Sequence, residues 1–250
     1  MKRIILFIMM ALVAAGYGFS QQPNYQQILE DIDNSATFEG TDFSCTYTIV
    51  SQKPEEGKDI TKARIFRRDS KDKFVLIILQ PEVQKGQGYL KIDDNVWFYD
   101  PESRKFAHSS MKENLQDSDA KNSDFTQSSL VDDYKIVSTD SSSSLGRYDV
   151  HIIELEATNN EVSYPGMKLW ISKENNLILK SEEYSLSGRL LRSSYYPKYK
   201  KVEGRYIPSK MLFIDELRKG EKTQVNLDDI SLEDLPDSVF TKQYLERVNQ

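Results

Sequence analysis

The sequence predicts a mainly β fold with a few helices, built as a barrel or strongly curved antiparallel sheet, and three observations carry that expectation. About a dozen short segments alternate apolar and polar residues with a period of two, the mark of half-buried strands. Two stripes of helical period flank them, one near each end of the chain. The composition is even throughout: 250 residues, 38% hydrophobic and 29% charged, with only 11 Gly and 8 Pro. That fits one domain with a sizeable core and excludes a collagenous or disordered chain. Many antiparallel strands must close or curve to manage their edges, and a barrel of this size encloses an interior that side chains only partly fill.

The elements follow in order. Lys2 and Arg3 precede an apolar run from Ile4 to Ala15, with Gly18 and Ser20 at the spacing of a small-residue cleavage site. Residues 1–20 therefore read as a signal peptide cut after about Ser20, and residues 21–250 as the exported domain. The apolar run falls short of the ~20 residues needed to span a bilayer. Tyr25, Ile28, Leu29 and Ile32 then form one face of an amphipathic helix. From residue 43 the period changes to two, with Phe43, Cys45, Tyr47 and Ile49 on one side and Ser44, Thr46 and Thr48 on the other.

Further strands are expected at 60–68, 73–79, 88–92, 96–99 and 105–108, joined by turn-forming links such as Asp93-Asp94-Asn95 and Asp100-Pro101-Glu102-Ser103. The unbroken apolar run Phe74 to Leu79 implies burial on both faces. Residues 109–132 interrupt the rhythm with Ser, Asp, Asn, Lys and Gln, a long polar insertion whose length implies a functional or flexible segment. Strands resume at 134–138, 147–157, 167–172, 177–185, 189–201, 209–217 and 222–230. A last helical stripe, Phe240, Tyr244, Leu245 and Val248, follows Pro236.

Composition narrows the chemistry. A net charge of −6 and a pI near 5.2 argue against nucleic acid as partner, since such binding rests on neutralising phosphates. One Cys and two His exclude a disulfide framework, a Cys-rich zinc site or an iron–sulfur cluster. Cys45, inside an apolar strand, reads as a small buried hydrophobe. His108 and His151 have no carboxylate at a motif spacing that would orient them, and both read as structural. Ser70-Lys71-Asp72-Lys73 matches S-x-x-K but lacks its companion motifs. Asp117, Asp119 and Asp124 suggest a calcium loop, yet the loop's Gly and terminal Glu are missing, which favours a solvated acidic loop. Neither a phosphate-cradling nor a dinucleotide-binding glycine motif occurs. The expectation is a non-enzyme without cofactor or metal.

The run Gly88-Tyr89-Leu90-Lys91-Ile92, Val96-Trp97-Phe98-Tyr99-Asp100-Pro101 and Arg104-Lys105-Phe106, followed by Asn122-Ser123-Asp124-Phe125-Thr126, resembles the signature of the bacterial outer-membrane lipoprotein-sorting proteins, the LolA-like superfamily. Tyr164-Pro165-Gly166-Met167-Lys168-Leu169-Trp170, Gly204-Arg205-Tyr206-Ile207-Pro208 and Phe240-Thr241-Lys242-Gln243-Tyr244-Leu245 continue the resemblance to the end of the chain. Two positions depart from the family pattern. Asn122 stands where the family usually has Gly, and Arg104-Lys105 is all that remains of an Arg-rich segment.

The resemblance implies an incomplete antiparallel β-barrel, a half-barrel of LolA/LolB type, with a helical lid over an apolar cavity for acyl chains. It implies a periplasmic carrier whose cargo is an acylated lipoprotein or lipid, with an inner-membrane transporter or a membrane-bound acceptor as partner, and which is not itself an integral membrane protein. The alternative is a sensory or scaffold module of the same fold that detects mislocalised lipoproteins and signals through a protein partner; a secreted lipid hydrolase is a third reading. The candidate cavity residues are Tyr47, Ile49, Ile65, Val75, Ile77, Leu79, Leu90, Trp97, Tyr99, Phe125, Leu130 and Trp170. Alternation separates the two faces of each strand without saying which is concave. The polar insertion is expected to be a mobile lid with few buried contacts, anchored by Phe125 over the cavity mouth.

Overall fold

The computed structural model describes residues 23–127 and 129–248, so the expected signal peptide and its cleavage after Ser20 lie outside the described residues. Helix α1 (Tyr25–Ala36) starts where the Asn24 side chain accepts from the Gln27 amide at 3.2 Å, a cap for one of the helix's free N–H groups. It ends as Thr37 turns extended, and it buries Ile28, Leu29 and Ile32.

The chain then runs through β1 (Phe43–Lys53), β2 (Gly57–Arg68), β3 (Lys73–Gln80), β4 (Gly88–Ile92), β5 (Asn95–Asp100) and β6 (Lys105–His108). After the insertion come a single helical turn α2 (Leu130–Asp133), β7 (Tyr134–Asp140), β8 (Ser144–Leu145), β9 (Tyr148–Ala157), β10 (Gly166–Ser172), β11 (Ile178–Tyr184), β12 (Leu190–Val202), β13 (Arg205–Asp215), β14 (Lys222–Ser231) and α3 (Lys242–Arg247).

One antiparallel sheet holds these strands in the order β6-β5-β4-β3-β2-β1-β14-β13-β12-β11-β10-β9-β7, with β8 paired on β9. The chain thus enters at the middle, walks to one edge, crosses to the other through the insertion, and returns to lay β14 beside β1. The edges β6 and β7 stay apart, so the sheet is open and the half-barrel is not a closed one.

Period two sorts the strand residues onto two faces. On the inner face Phe43, Cys45, Tyr47 and Ile49 of β1 join Ala63 and Ile65 of β2, Phe74, Leu76 and Ile78 of β3, and Phe213 and Val225 across the sheet in one buried cluster. Beside it, α1 packs Ile28, Leu29 and Ile32 onto Ile153, Leu155, Leu169 and Ile171. The outer face of β3 to β5 carries a third cluster, Val75, Ile77, Leu90 and Tyr99, covered by Val239, Phe240 and Leu245. Strand β3 is therefore buried on both faces, as its unbroken apolar run requires. Gly88 permits the close approach of α3, for a Cβ there would stand 2.7 Å from Leu245 Cδ2.

Two findings differ from the sequence reading. The second amphipathic stripe is a 3₁₀ turn (Asp237–Phe240) plus the short α3; it shields the outer face and is no part of the lid, and Val248 is exposed. The insertion is packed rather than loose, with Leu115, Ala120, Asn122 and Phe125 essentially buried. Its polar residues serve as partners: Ser51 Oγ donates to the Asp117 carbonyl at 3.1 Å, and the Asp119 amide donates to Thr223 Oγ1 at 2.9 Å. Polar composition here marks hydrogen bonds made to the sheet, not solvation.

Candidate functional site

The crossing of the insertion over the inner face defines the site. In the 3₁₀ turn Asn122–Phe125, Phe125 is driven against Tyr47 of β1, with ring centres 4.9 Å apart and a steep interplanar angle of 67°. The neighbouring Asp124 points at Arg192 of β12, which donates Nη1 to Oδ2 at 2.6 Å and Nη2 to Oδ1 at 2.8 Å. Arg192 Nε also donates to Glu183 at 3.3 Å, its register partner on β11. Ser181 and Ser194 donate to the same Glu183 carboxylate, and the rings of Tyr164 and Phe213 lie 4.8 and 4.4 Å from the guanidinium carbon. Glu183 is 1% exposed and Arg192 5%. Burial pushes the Glu183 carboxyl up while Arg192 and the serines pull it back, and the two carboxylates hold Arg192 firmly protonated against its own burial.

A second charge pair closes the other side. Arg67 of β2 donates to Asp69 at 3.0 and 2.6 Å and to the Ala36 carbonyl at 2.9 Å, so the end of α1 is tied to the sheet. Its guanidinium faces the rings of Phe38 and Phe43 at 5.6 and 5.3 Å. Asp33 of α1 accepts from the Leu130 and Val131 amides at 3.0 and 2.9 Å, joining α1 to α2.

Between these ties lies a cavity of about 270 Å³. The sheet side is largely apolar, from Phe43, Tyr47, Ile207, Met211 and Phe213, whereas the insertion contributes Ser123, Asp124, Thr126 and Gln127. Burial raises the phenol pKa of Tyr47, Tyr196 and Tyr199 on its wall, so those hydroxyls stay neutral.

Of the sequence-derived candidates, the structure brings Tyr47 and Leu130 to the cavity wall. Phe125, Ile49 and Ile65 lie in the adjoining inner cluster, one layer away. Val75, Ile77, Leu90, Trp97 and Tyr99 lie on the outer face under the C-terminal segment, where Lys242 sits 4.2 Å from the Trp97 ring centre. Trp170 alternates with the inward Leu169 and Ile171 and is flanked instead by Lys180 and Lys168, at 4.4 and 5.5 Å; Leu79 is 39% exposed. These seven do not reach the cavity.

Sequence reasoning missed Arg192, Glu183, Arg67 and Gln127. A signal existed for the first two: charged residues occupy inward positions of β11 and β12, opposite one another across the Leu186-Ser187-Gly188 turn. The acidic trio does not act as a unit. Asp117 is exposed, Asp124 is held by Arg192, and Asp119 bonds Thr223 beside Asp215 and Glu221, where burial pushes its carboxyl up. His151 Nδ1 lies 2.8 Å from Ser141 Oγ, which in turn lies 2.7 Å from the Tyr25 hydroxyl, fastening α1 to the β7 edge. Cys45 is buried, its thiol pushed up to about 12 by desolvation.

Comparison with known proteins agrees with this architecture. A family model described as "Uncharacterized protein" matches residues 70–247. Among curated proteins there is no match. A LolA superfamily protein from Nitrosomonas europaea superposes with a TM-score of 0.76 at 27% identity, over 88% of this chain and 98% of that one. A domain described as an outer membrane lipoprotein-sorting protein, from Vibrio parahaemolyticus, gives 0.75 at 19% identity over 89% and 98%. A DUF1329 family protein from Desulfovibrio piger gives 0.76 at 18% over 88% and 97%. The last two speak for the fold alone. With its open half-barrel, inner helix and crossing insertion, the chain belongs to the family of that model, and its fold is that of the LolA superfamily protein on which it superposes.

Proposed function

We propose that this protein is a periplasmic carrier that shelters acyl chains of a lipoprotein or lipid on the inner face of its half-barrel, without catalysis. The observation that carries the reading is the cavity between β1, β13, α1 and the insertion, largely apolar on the sheet side and roofed by two elements that lie outside the strand ladder and are tied to it by side-chain hydrogen bonds and ion pairs. At about 270 Å³ it has the space of roughly nine waters, and lies just below the ~300–1,000 Å³ range of ligand sites. One short alkyl segment fits as the structure stands; a longer chain requires α1 and the insertion to separate.

Each methylene moved from water into such a site is worth about 0.8 kcal/mol, so retention in the aqueous compartment is strong. A bilayer is equally apolar, which makes extraction nearly neutral and calls for a second machine, an inner-membrane transporter, with a membrane-bound acceptor downstream. Residues 1–20 supply the export signal in this reading, leaving residues 21–250 as the working domain. None of the described helices is long and apolar enough to cross a membrane. The test is organic extraction and mass spectrometry of protein purified from the periplasm, with binding of a fluorescent fatty acid to the delipidated protein. Acylated peptide or lipid near one per protein is expected. Absence of both co-purified lipid and fatty-acid binding overturns the proposal.

A further inference from the structure

The cavity has an unmet polar group. Gln127 lines it from the insertion, and its Oε1 is buried without a hydrogen-bond partner among the described residues. Six of its polar neighbours on the wall are engaged. Ser35 donates to the Ile32 carbonyl, Arg67 to Asp69, Thr126 to the Ser123 carbonyl and Tyr199 to the Ile178 carbonyl; Ser123 pairs with Ser163, and Asp124 accepts from Arg192. Buried acceptors in folded proteins are almost always satisfied, so one left open on a cavity wall calls for a partner from outside the chain.

The cavity is also polarised. The insertion side is polar throughout, with Ser123, Asp124, Thr126 and Gln127, whereas the sheet side sets Phe43, Ile207, Met211 and Phe213 among tyrosines and the paired Arg67. An amphiphile would lay its hydrocarbon against the sheet and its polar junction under the insertion. We infer that Gln127 is a specificity residue that accepts a hydrogen bond from an N–H or O–H at the head of the acyl chain, so the site prefers amide-linked or hydroxyl-bearing lipids over esters that lack a donor. This rests on the carrier reading and narrows its substrate class. A site built around such a bond rejects an analogue without the donor, because the acceptor then stays buried and unpaired.

The test is displacement of 12-anthroyloxystearate from the delipidated protein by three probes with a sixteen-carbon acyl chain: hexadecanamide, monopalmitoylglycerol and methyl palmitate. Wild type should bind at least one donor-bearing probe about tenfold more tightly than the methyl ester, the ratio expected of one good hydrogen bond. Preference for the amide assigns the donor to N–H; preference for the glyceride assigns it to O–H. Gln127→Leu, and Gln127→Met as an unbranched second variant, should bring that ratio close to one, and a far-ultraviolet circular-dichroism spectrum like that of wild type shows that the variants are folded. Equal affinities for all three probes in wild type, or an unchanged ratio in both variants, overturns the inference and leaves carriage standing. Failure of every probe to displace or bind removes the carrier reading itself, and this inference with it.

Discussion

The inner face beneath the insertion and the outer face beneath α3 are both apolar, both aromatic and both roofed by a short segment, yet they are fastened differently. Inside, the roof is locked by a desolvated guanidinium shared between Asp124 and Glu183, and Phe125 stacks edge-on against Tyr47. Outside, Leu245 presses on Gly88, Lys242 covers Trp97, and Arg68 binds Asp42 at 2.7 Å together with the exposed Asp237. The inner roof leaves a cavity beside it and the outer cluster forms part of a packed core. What separates a face with a cavity from a packed face in this fold is thus the cover, and not the strand that both faces share.

The largest effect should come from removing the inner lock. Arg192→Leu leaves the buried Glu183 and the part-buried Asp124 without their guanidinium, and breaking a buried pair in this way costs about 3–5 kcal/mol. Asp124→Asn should cost less, because Glu183 still compensates the guanidinium. Urea unfolding of the two variants checks the order. A smaller loss in Arg192→Leu than in Asp124→Asn would mean that the two carboxylates do not share the charge.

Next come two matched truncations. Phe125 and Leu245 are 1% and 0% exposed, one in each roof. Phe125→Ala should lose about 3–5 kcal/mol of stability and Leu245→Ala about 2–5 kcal/mol, since each leaves a cavity in a close-packed site. Only Phe125→Ala should also weaken retention of a fluorescent fatty acid. Equal loss of retention in both variants would erase the distinction between the faces.

Lys242→Gln sharpens the comparison from outside. The ammonium over Trp97 is worth about 0.5–1 kcal/mol, and its removal should leave lipid affinity unchanged. For the same reason, loading wild type with methyl palmitate, which has no chromophore, should leave the emission of Trp97 and Trp170 unmoved. A spectral shift on loading would place a tryptophan near the ligand.

The strands were legible because side-chain alternation is dictated by backbone geometry, and all thirteen segments read as strands, from Phe43 onward, fall on observed strands of the first and second halves alike. The faces were harder. Trp97 and Tyr99 alternate onto one side of β5, with Leu90 the register partner of Trp97, but curvature is a property of the whole sheet, and no local pattern in β4 or β5 says which side is concave. The insertion misled for a different reason. Ser118, Asp119, Asn122 and Asp124 look solvated in sequence, and their partners, Leu115, Thr223, Ser110 and Arg192, are fixed mostly by tertiary structure. Gln127 carried no signal at all: an unmet acceptor is visible only once its surroundings are assembled.

The smallest predicted effect concerns how α1 is held to the edge of the inner face. Tyr25, Ser141 and His151 form a hydrogen-bonded chain, and the Tyr25 ring meets the His151 ring edge-on with centres 5.7 Å apart. Burial in the first place, and the nearby Lys173 in the second, lower the His151 pKa below its ordinary 6.5. The folded protein therefore resists a proton that the unfolded chain accepts. Stability from this group is fully present above about pH 6.5 and declines as pH falls from there towards the lowered folded value. His151→Gln keeps a polar side chain and removes the titration, so the stability lost between pH 7.5 and 5.5 should be smaller in the variant than in wild type when both are unfolded in urea. Because the histidine lies on the α1 side of the cavity roof, mild acid should also speed release of bound fatty acid in wild type and do so less in His151→Gln. An identical pH response of stability in the two proteins would show that the proton is taken up elsewhere and that α1 is not fastened through the neutral imidazole.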